Sequence, residues 1–339
     1  MSAVTGIEEV ARATGVSTAT VSRALRGLPN VSEKTRARVR TAADELGYVA
    51  SSSASGLASG RTRAMGVVVP SVSRWFYTTV LAGVDAELRA ASYDMILFNL
   101  GGHTGDRERV FHRSILRKRT DALLALCLDF TADERFELAS TGHPTIVVGG
   151  PVRGLRSVGI DERGTARRAT EYLIALGHRE IAHLGGQDEE GLNRQVPVGR
   201  MHGFEDALRI AGIPARPDWI IPGHFSLPSS RAAINALLDR PGPRPSAVFA
   251  GSDEMAIGAI LAAHDHGLAV PGDLSVIGID NHDFAESFGL TTMAQDPFEQ
   301  GAVAARILLD ELGGASPRAR SLRMPVTLIE RVSAAPPRA

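Results

Sequence analysis

Along the first 48 residues the apolar positions recur at helical spacing. Ile7, Val10 and Ala11 fall on one face of a first helix, Gly15 interrupts the pattern, and Val21, Ala24 and Leu25 mark the buried face of a second. A turn follows at Gly27-Leu28-Pro29-Asn30-Val31. Ser32 then stands where a capping hydroxyl opens a third helix, which runs to about Leu46 and stops at Gly47. From 49 to 60 the chain is small, serine-rich and too short for a stable free helix, with Leu57 as a bulky apolar residue that has nothing local to pack against.

Beyond residue 63 the pattern changes. Uninterrupted apolar runs at 65–69, 93–98, 122–126, 145–148, 181–184, 219–221, 247–250 and 274–279 alternate with amphipathic helices. Such runs predict parallel strands covered on both faces, hence an α/β doubly wound architecture. The number of repeats exceeds one such sheet, so two similar lobes are expected, with a cleft between the carboxyl ends of their strands. Runs at 290–295 and 323–328 predict two further strands flanking a helix over about 298–312, and the Pro/Ala/Arg-rich tail at 334–339 is expected to be disordered.

Composition changes this picture little, and charge changes it more. The 339 residues leave room for more than one domain, and 22% charged with 44% apolar residues is the balance of an ordinary globular protein. The net charge of -1 hides a polarity: the first 63 residues carry nine basic and five acidic side chains, so a small basic head precedes an acidic body. A single cysteine excludes an internal disulfide, and Cys127, at the end of an apolar run, reads as a buried, inert thiol. The start of the chain has no basic stretch followed by an apolar one, and no segment approaches the length of a membrane span, so a cytoplasmic protein is expected.

The second helix of the head shows its polar side as Ser17, Thr18, Thr20, Ser22 and Arg23, short hydroxyls and one guanidinium that can approach a DNA duplex closely. The alternative is a small helical hairpin whose Ser and Thr only cap a helix. Enzyme chemistry finds little support: there is no phosphate-binding Gly-rich loop ending in Lys, no Gly-x-Ser-x-Gly elbow and no metal-ligand cluster. Gly149-Gly150 and Gly185-Gly186 are isolated pairs, and His264 and His266 point to different sides of a helix. No catalytic residue, cofactor or metal is expected.

Taken together, Val10-Ala11, Gly15-Val16-Ser17, Thr20-Val21-Ser22-Arg23, Val31-Ser32, Thr35-Arg36 and Glu45-Leu46-Gly47-Tyr48 stand at the spacing of the LacI/GalR family of transcriptional regulators, which this chain resembles. In the body Gly60-Arg61-Thr62, Leu176-Gly177-His178, Arg200 with Gly203-Phe204, the stretch 253–258, Pro271-Gly272-Asp273-Leu274-Ser275 and the stretch 278–280 agree as well, so the resemblance spans nearly the whole chain. It implies an all-α helix-turn-helix head on an α/β body of two doubly wound parallel-sheet lobes, of the periplasmic-binding-protein-like type I. By the same resemblance Thr18, Ala19 and Arg23 read base edges, while Ser17, Thr20 and Ser22 hold phosphates. Arginine can match guanine with its fork, and alanine can offer a methyl to thymine. The segment with Ala54 and Leu57 is implied to fold on DNA, Leu57 from each of two subunits wedging a base step in the minor groove. Ala50-Ser51 stands where Pro-Asn is frequent in the family, and Gly56 weakens such a helix by about 1 kcal/mol relative to alanine.

The resemblance also implies a homodimer on a pseudo-palindromic operator, usually as a repressor, and a small effector in the cleft. The effector positions fall on Trp75 or Phe76, Arg200, Phe225, Ser252 and Asp280, with Ser252 in place of a more frequent Asn. An aromatic floor, a forked donor and an acceptor carboxylate suit a polyhydroxylated ring, so a sugar or related metabolite is expected. Alternatively, Arg200 and Asp280 form an inter-lobe salt bridge when the cleft is empty. The expected divisions are 1–48 for the head, 49–62 for the hinge, and 63–333 for the body, with lobe 1 at about 63–159 and 291–322 and lobe 2 at about 160–290 and 323–333. A solute-binding protein or an enzyme on the same two lobes is the alternative reading; the first 60 residues count against it.

Overall fold

The computed structural model describes residues 6–25, 27–48, 61–101, 104–111, 119–186, 194–316 and 321–338. The expected hinge residues Ala54 and Leu57 lie outside the described residues.

The head forms from three helices, α1 (Ile7–Thr14), α2 (Thr18–Leu25) and α3 (Glu33–Glu45), whose apolar stripes meet in one small core. Val10, Ala11, Val21, Ala24, Val39 and Ala43 are buried there, with Ile7, Val16, Leu25 and Tyr48 packed around them. Gly15 ends α1 in the left-handed conformation at φ 65°, which turns the chain into α2. Both following helices open on a serine hydroxyl: Ser17 Oγ accepts from the Thr20 N–H at 3.2 Å and Ser32 Oγ from the Thr35 N–H at 3.2 Å.

Among the described residues the body contains two six-stranded sheets. The first lobe takes β1 (Ala64–Val69), β2 (Asp94–Asn99), β3 (Ala122–Leu126), β4 (Thr145–Val148), β5 (Arg156–Gly159) and β11 (Ser321–Arg323), in the order β11-β5-β4-β3-β1-β2, all parallel. The second takes β6 (Ile181–Gly185), β7 (Ile220–Pro222), β8 (Ala247–Ala250), β9 (Ser275–Asp280), β10 (Thr291–Ala294) and β12 (Thr327–Ile329), in the order β12-β10-β9-β8-β6-β7. Only its edge strand β12 runs antiparallel, against β10.

Alternation explains why the strand runs are apolar throughout. On β1, Met65, Val67 and Val69 enter the core under α4 (Trp75–Ala90) and α11 (Pro297–Leu312), whereas Val68 enters the opposite core, with α5 (Thr104–Phe111) and α6 (Ala132–Thr141). The second sheet is covered likewise by α7 (Glu162–Ala175) and α8 (Gln195–Ile210) on one face and α9 (Leu227–Leu238) and α10 (Asp253–Asp265) on the other. Helices α4 and α11 pack so closely that a Cβ on Gly83 would come within 1.9 Å of the Phe298 carbonyl oxygen.

Three expectations need correction, and one strand was not expected. The run 323–328 is two strands in different sheets: Pro325 has no N–H to donate to a ladder, and the chain crosses between lobes there. Strand β5, with Val158 alone between polar and glycine residues, carries no apolar run and is not legible in the pattern. Residues 291–294, expected in lobe 1, pair with β9 and belong to the second sheet, so the chain returns to the first lobe only after Ala294. The tail is tied down through residue 338: the Ala335 carbonyl accepts from Ser275 Oγ at 3.0 Å, and Arg338 pairs with Asp273 at 2.5 Å. His178, buried at its turn, lies 2.8 Å from Ser246 Oγ and 2.9 Å from the Ala335 carbonyl, a structural place and not a chemical one.

Candidate functional site

The first site is the outer face of α2. Thr18, Ala19 and Arg23 are exposed there together, while Val21 and Ala24 on the reverse are buried. Ser17 is exposed, and Thr20 and Ser22 are half-buried at the edges of the same face. Ser17 both caps α2 and lies 2.9 Å from the Thr20 hydroxyl, so capping and a hydroxyl-bearing rim are properties of the same residues.

The second site lies where the strands of both lobes end. Cys127, His224, Phe225, Asp280 and Asn281 are five of the eight non-glycine residues with positive φ among the described residues, and all follow or end strands at this edge. Each such conformation costs about 1–3 kcal/mol, so the surrounding structure must hold it. Asp253 braces the turn that follows β9: fully buried at the start of α10, it accepts from Thr292 Oγ1 at 2.7 Å, from the His282 N–H at 2.9 Å and from the Asn281 backbone. Burial raises the Asp253 carboxyl above the usual range. Asp280, buried beside it, is raised further: desolvation dominates, Asp253 adds to it, and Arg200 and the Gln295 amide oppose it.

Arg200 comes from α8 and is 5% exposed. Its Nε donates to Glu162 Oε2 at 2.7 Å, and a second nitrogen donates to the Gly251 carbonyl. The ring of Phe225 lies under the guanidinium, 5.8 Å from Cζ to centroid, and rests against Gly186, where a Cβ would fall 1.9 Å from the ring. Arg200 and Asp280 therefore make no salt bridge, and both stand in the second lobe. The buried partner of Arg200 is Glu162.

The first lobe reaches over through α4. Trp75 Nε1 donates to Asp283 at 2.9 Å and its ring lies 4.7 Å from that of His282, while Arg74 donates to the carbonyls of His224, at 3.0 Å, and Phe225. Phe76 turns into the core of its own lobe, so of the two aromatic candidates Trp75 is the one facing the partner lobe. Cys127 lies at this edge rather than deep in a core: Tyr77 bonds its thiol, Glu162, Arg200 and Asp280 are near, and burial pushes it up to about 12, which keeps it inert. Gln300, on α11 of the first lobe, donates to Gln295 at 2.8 Å, and Gln295 donates to Asp280 at 2.6 Å, a chain of amides from one lobe to the other.

Ser252 is brought to the same edge, but its hydroxyl caps α10 by accepting from the Met255 N–H at 3.3 Å. The sequence reading did not single out Glu162, Arg74, Tyr77, Gln295 and Gln300. Only Gln295 carried a legible signal, as a polar residue directly after the short run of β10. Among the described residues no helix is long and apolar enough to cross a membrane, and no group of three His, Cys, Asp or Glu side chains could hold a metal ion.

Two families match this chain: "Bacterial regulatory proteins, lacI family" over residues 6–51 and "Periplasmic binding protein-like domain" over residues 170–334. Catabolite control protein A of Priestia megaterium is 35% identical over 306 residues, covering 89% of this chain and 91% of that protein. Among solved structures, the transcriptional regulator CelR in complex with cellobiose is 31% identical with a TM-score of 0.71, covering 97% of this chain and 99% of the other. The lac repressor dimer bound to operator and the anti-inducer ONPF is 25% identical with a TM-score of 0.86, covering 98% of this chain and 100% of the other.

Proposed function

The chain belongs to the lacI family of bacterial regulatory proteins, and from that premise we propose how its residues divide the work of a DNA-binding transcriptional regulator controlled by a small effector. Residues 1–48 bind DNA, 49–62 form the hinge, and the body from 63 onward binds effector and dimerises, working by binding and not by turnover. On α2, Thr18, Ala19 and Arg23 read bases, and Ser17, Thr20 and Ser22 hold phosphates. Ala54 and Leu57 enter the minor groove. Two copies meet a pseudo-palindromic operator in the cytoplasm and repress transcription.

The observation that carries this reading is the exposure of Thr18, Ala19 and Arg23 on one face of α2, with Val21, Ala24 and Leu25 on the reverse packed into the head's core. In the cleft, Trp75, Arg200, Phe225 and Asp280 take the effector directly, and Ser252 acts by holding the start of α10. An aromatic ring under a fixed guanidinium, with amide and carboxyl groups beside it, suits a sugar-like molecule. The cellobiose complex of a relative at 31% identity supports that class.

Operator selection from random DNA, followed by gel shift, tests the head. Arg23→Ala is expected to lose about 1–3 kcal/mol of preference at one base pair in each half-site and to leave the other positions unchanged. Equal weakening on every sequence would reassign Arg23 to the phosphates.

A further inference from the structure

We propose that Glu162 sets the charge of the effector: by matching Arg200 inside the cleft it restricts the site to uncharged ligands and excludes their phosphorylated or carboxylate-bearing counterparts. The inference rests on the reading of the cleft as the effector site.

A buried guanidinium at the mouth of a parallel sheet is the natural receptor for a phosphate or carboxylate, because its fork matches two oxygens at once. Here that capacity is already taken. The Arg200 and Glu162 side chains are 6% and 8% exposed, their N···O distance is 2.7 Å, and a further guanidinium nitrogen is held by the Gly251 carbonyl. A helix N-terminus is the second natural anion receptor, and that of α7, which carries Glu162, is occupied as well. Asp161 caps it by accepting from the Gly164 N–H at 3.0 Å, and Glu162 is its first residue.

Among the other cations at this edge, Arg331 has its donors taken by the Leu290 carbonyl at 2.7 Å and Asn281 Oδ1 at 2.8 Å, and it acts on Asp253. Asp280 and Asp253 are both carboxyls whose burial favours the protonated form. Cys127 stays a thiol, bonded by Tyr77. At the rim Arg74 is committed to the carbonyls of His224 and Phe225 and lies near Glu254, and Asp283 accepts from Trp75. An anionic ligand would lose its hydration and meet a cation already matched by Glu162, whereas hydroxyls can share the Glu162 and Arg200 pair without adding charge.

The test uses full-length protein and matched pairs: cellobiose with cellobionate, ribose with ribose 5-phosphate, and adenosine with adenosine 5′-monophosphate. Binding is read by calorimetry and by thermal shift, and inorganic phosphate is titrated alone against chloride of equal ionic strength. In any pair that binds, the wild type is expected to favour the neutral member at least about 100-fold, and phosphate should produce no saturable shift. Glu162→Gln, which frees Arg200, should narrow that preference at least about tenfold and confer a saturable response to phosphate. The double change Glu162→Gln with Arg200→Gln should abolish that response again.

A wild type that prefers the anionic member, or an identical phosphate response in wild type and Glu162→Gln, would overturn the proposal. If Glu162→Gln does not fold, the wild-type pairs still decide it, and Glu162→Asp, which keeps the charge, should retain the neutral preference. Failure of every sugar with a response to adenosine would refute the carbohydrate reading while leaving the charge rule intact. If nothing in the panel binds, the phosphate arm alone still decides the charge rule.

Discussion

The two lobes share one plan and differ in what they bury. Strand order in the first, β2-β1-β3-β4-β5, is repeated in the second as β7-β6-β8-β9-β10, and each lobe adds a last strand at the far edge, parallel in one and antiparallel in the other. At the cleft the first lobe offers rings, a thiol and amides: Trp75, Tyr77, Cys127 and Gln300. The second buries ionisable groups, namely Glu162, Arg200, His183, Asp253 and Asp280, each under 9% exposed. The same backbone plan therefore brings two strand edges together and leaves the buried ionisable groups to one side. The first lobe is tied to the second through the bonds of Arg74 and Trp75.

That difference can be broken most severely at the buried pair. Arg200→Met leaves the Glu162 carboxylate without its partner and is expected to lower stability by about 3–5 kcal/mol in urea denaturation, whereas Glu162→Leu with Arg200→Met should recover most of the loss. Equal stability of the single and double variants would show that the pair is not desolvated as described.

The next effect is on acid stability, through His183. It is fully buried between Phe204 and Phe249, with centroids 5.1 and 4.9 Å away, and one ring nitrogen, Nδ1, lies 3.1 Å from the Phe249 carbonyl. Burial lowers it to about 4, against which that carbonyl works and to which Arg200 adds. The folded state thus favours neutral imidazole. The stabilisation is complete above pH 6.5 and is lost as pH falls toward 4, by about 3 kcal/mol in all. His183→Phe, which keeps the stack, should flatten the stability profile across that window, and an unchanged profile would place the acid sensitivity elsewhere.

The smallest effect sharpens the other side of the comparison. In the first lobe the critical feature is close packing: Gly83→Ala sets a Cβ against the Phe298 backbone, so α4 and α11 must separate, at a cost of about 1–3 kcal/mol. The loss should be the same at every pH from 4 to 8, in contrast to changes in the second lobe. A pH-dependent loss would mean that the lobes are energetically less separate than their cores suggest.

Much of this was legible in the chain because local rules sufficed. The head's three helices follow from apolar spacing, Gly15, and the hydroxyls Ser17 and Ser32. Most strands follow from apolar runs buried on both faces. Where the pattern was silent or misleading, distant partners decided. Strand β5 exists because β4 and β11 pair with it, not because its residues are apolar. The run at 323–328 divides because Pro325 cannot continue a ladder. The tail is ordered because Ser275, His178 and Asp273 hold it.

The candidate site divides the same way. By itself the sequence determined which residue types stand on the outer face of α2, since a helix displays its surface from its own periodicity, and it placed Asp280 just after a predicted strand, whereas Trp75 or Phe76, Arg200, Phe225 and Ser252 entered only through the family resemblance. Only the tertiary structure decided their partners. Glu162 and Arg200 are 38 residues apart and meet because α7 and α8 pack on one sheet face. Arg74 meets His224 across 150 residues. A charge pair of this kind leaves no periodic trace, because its energy depends on burial and on the partner's position in space, and neither is a local property of the chain.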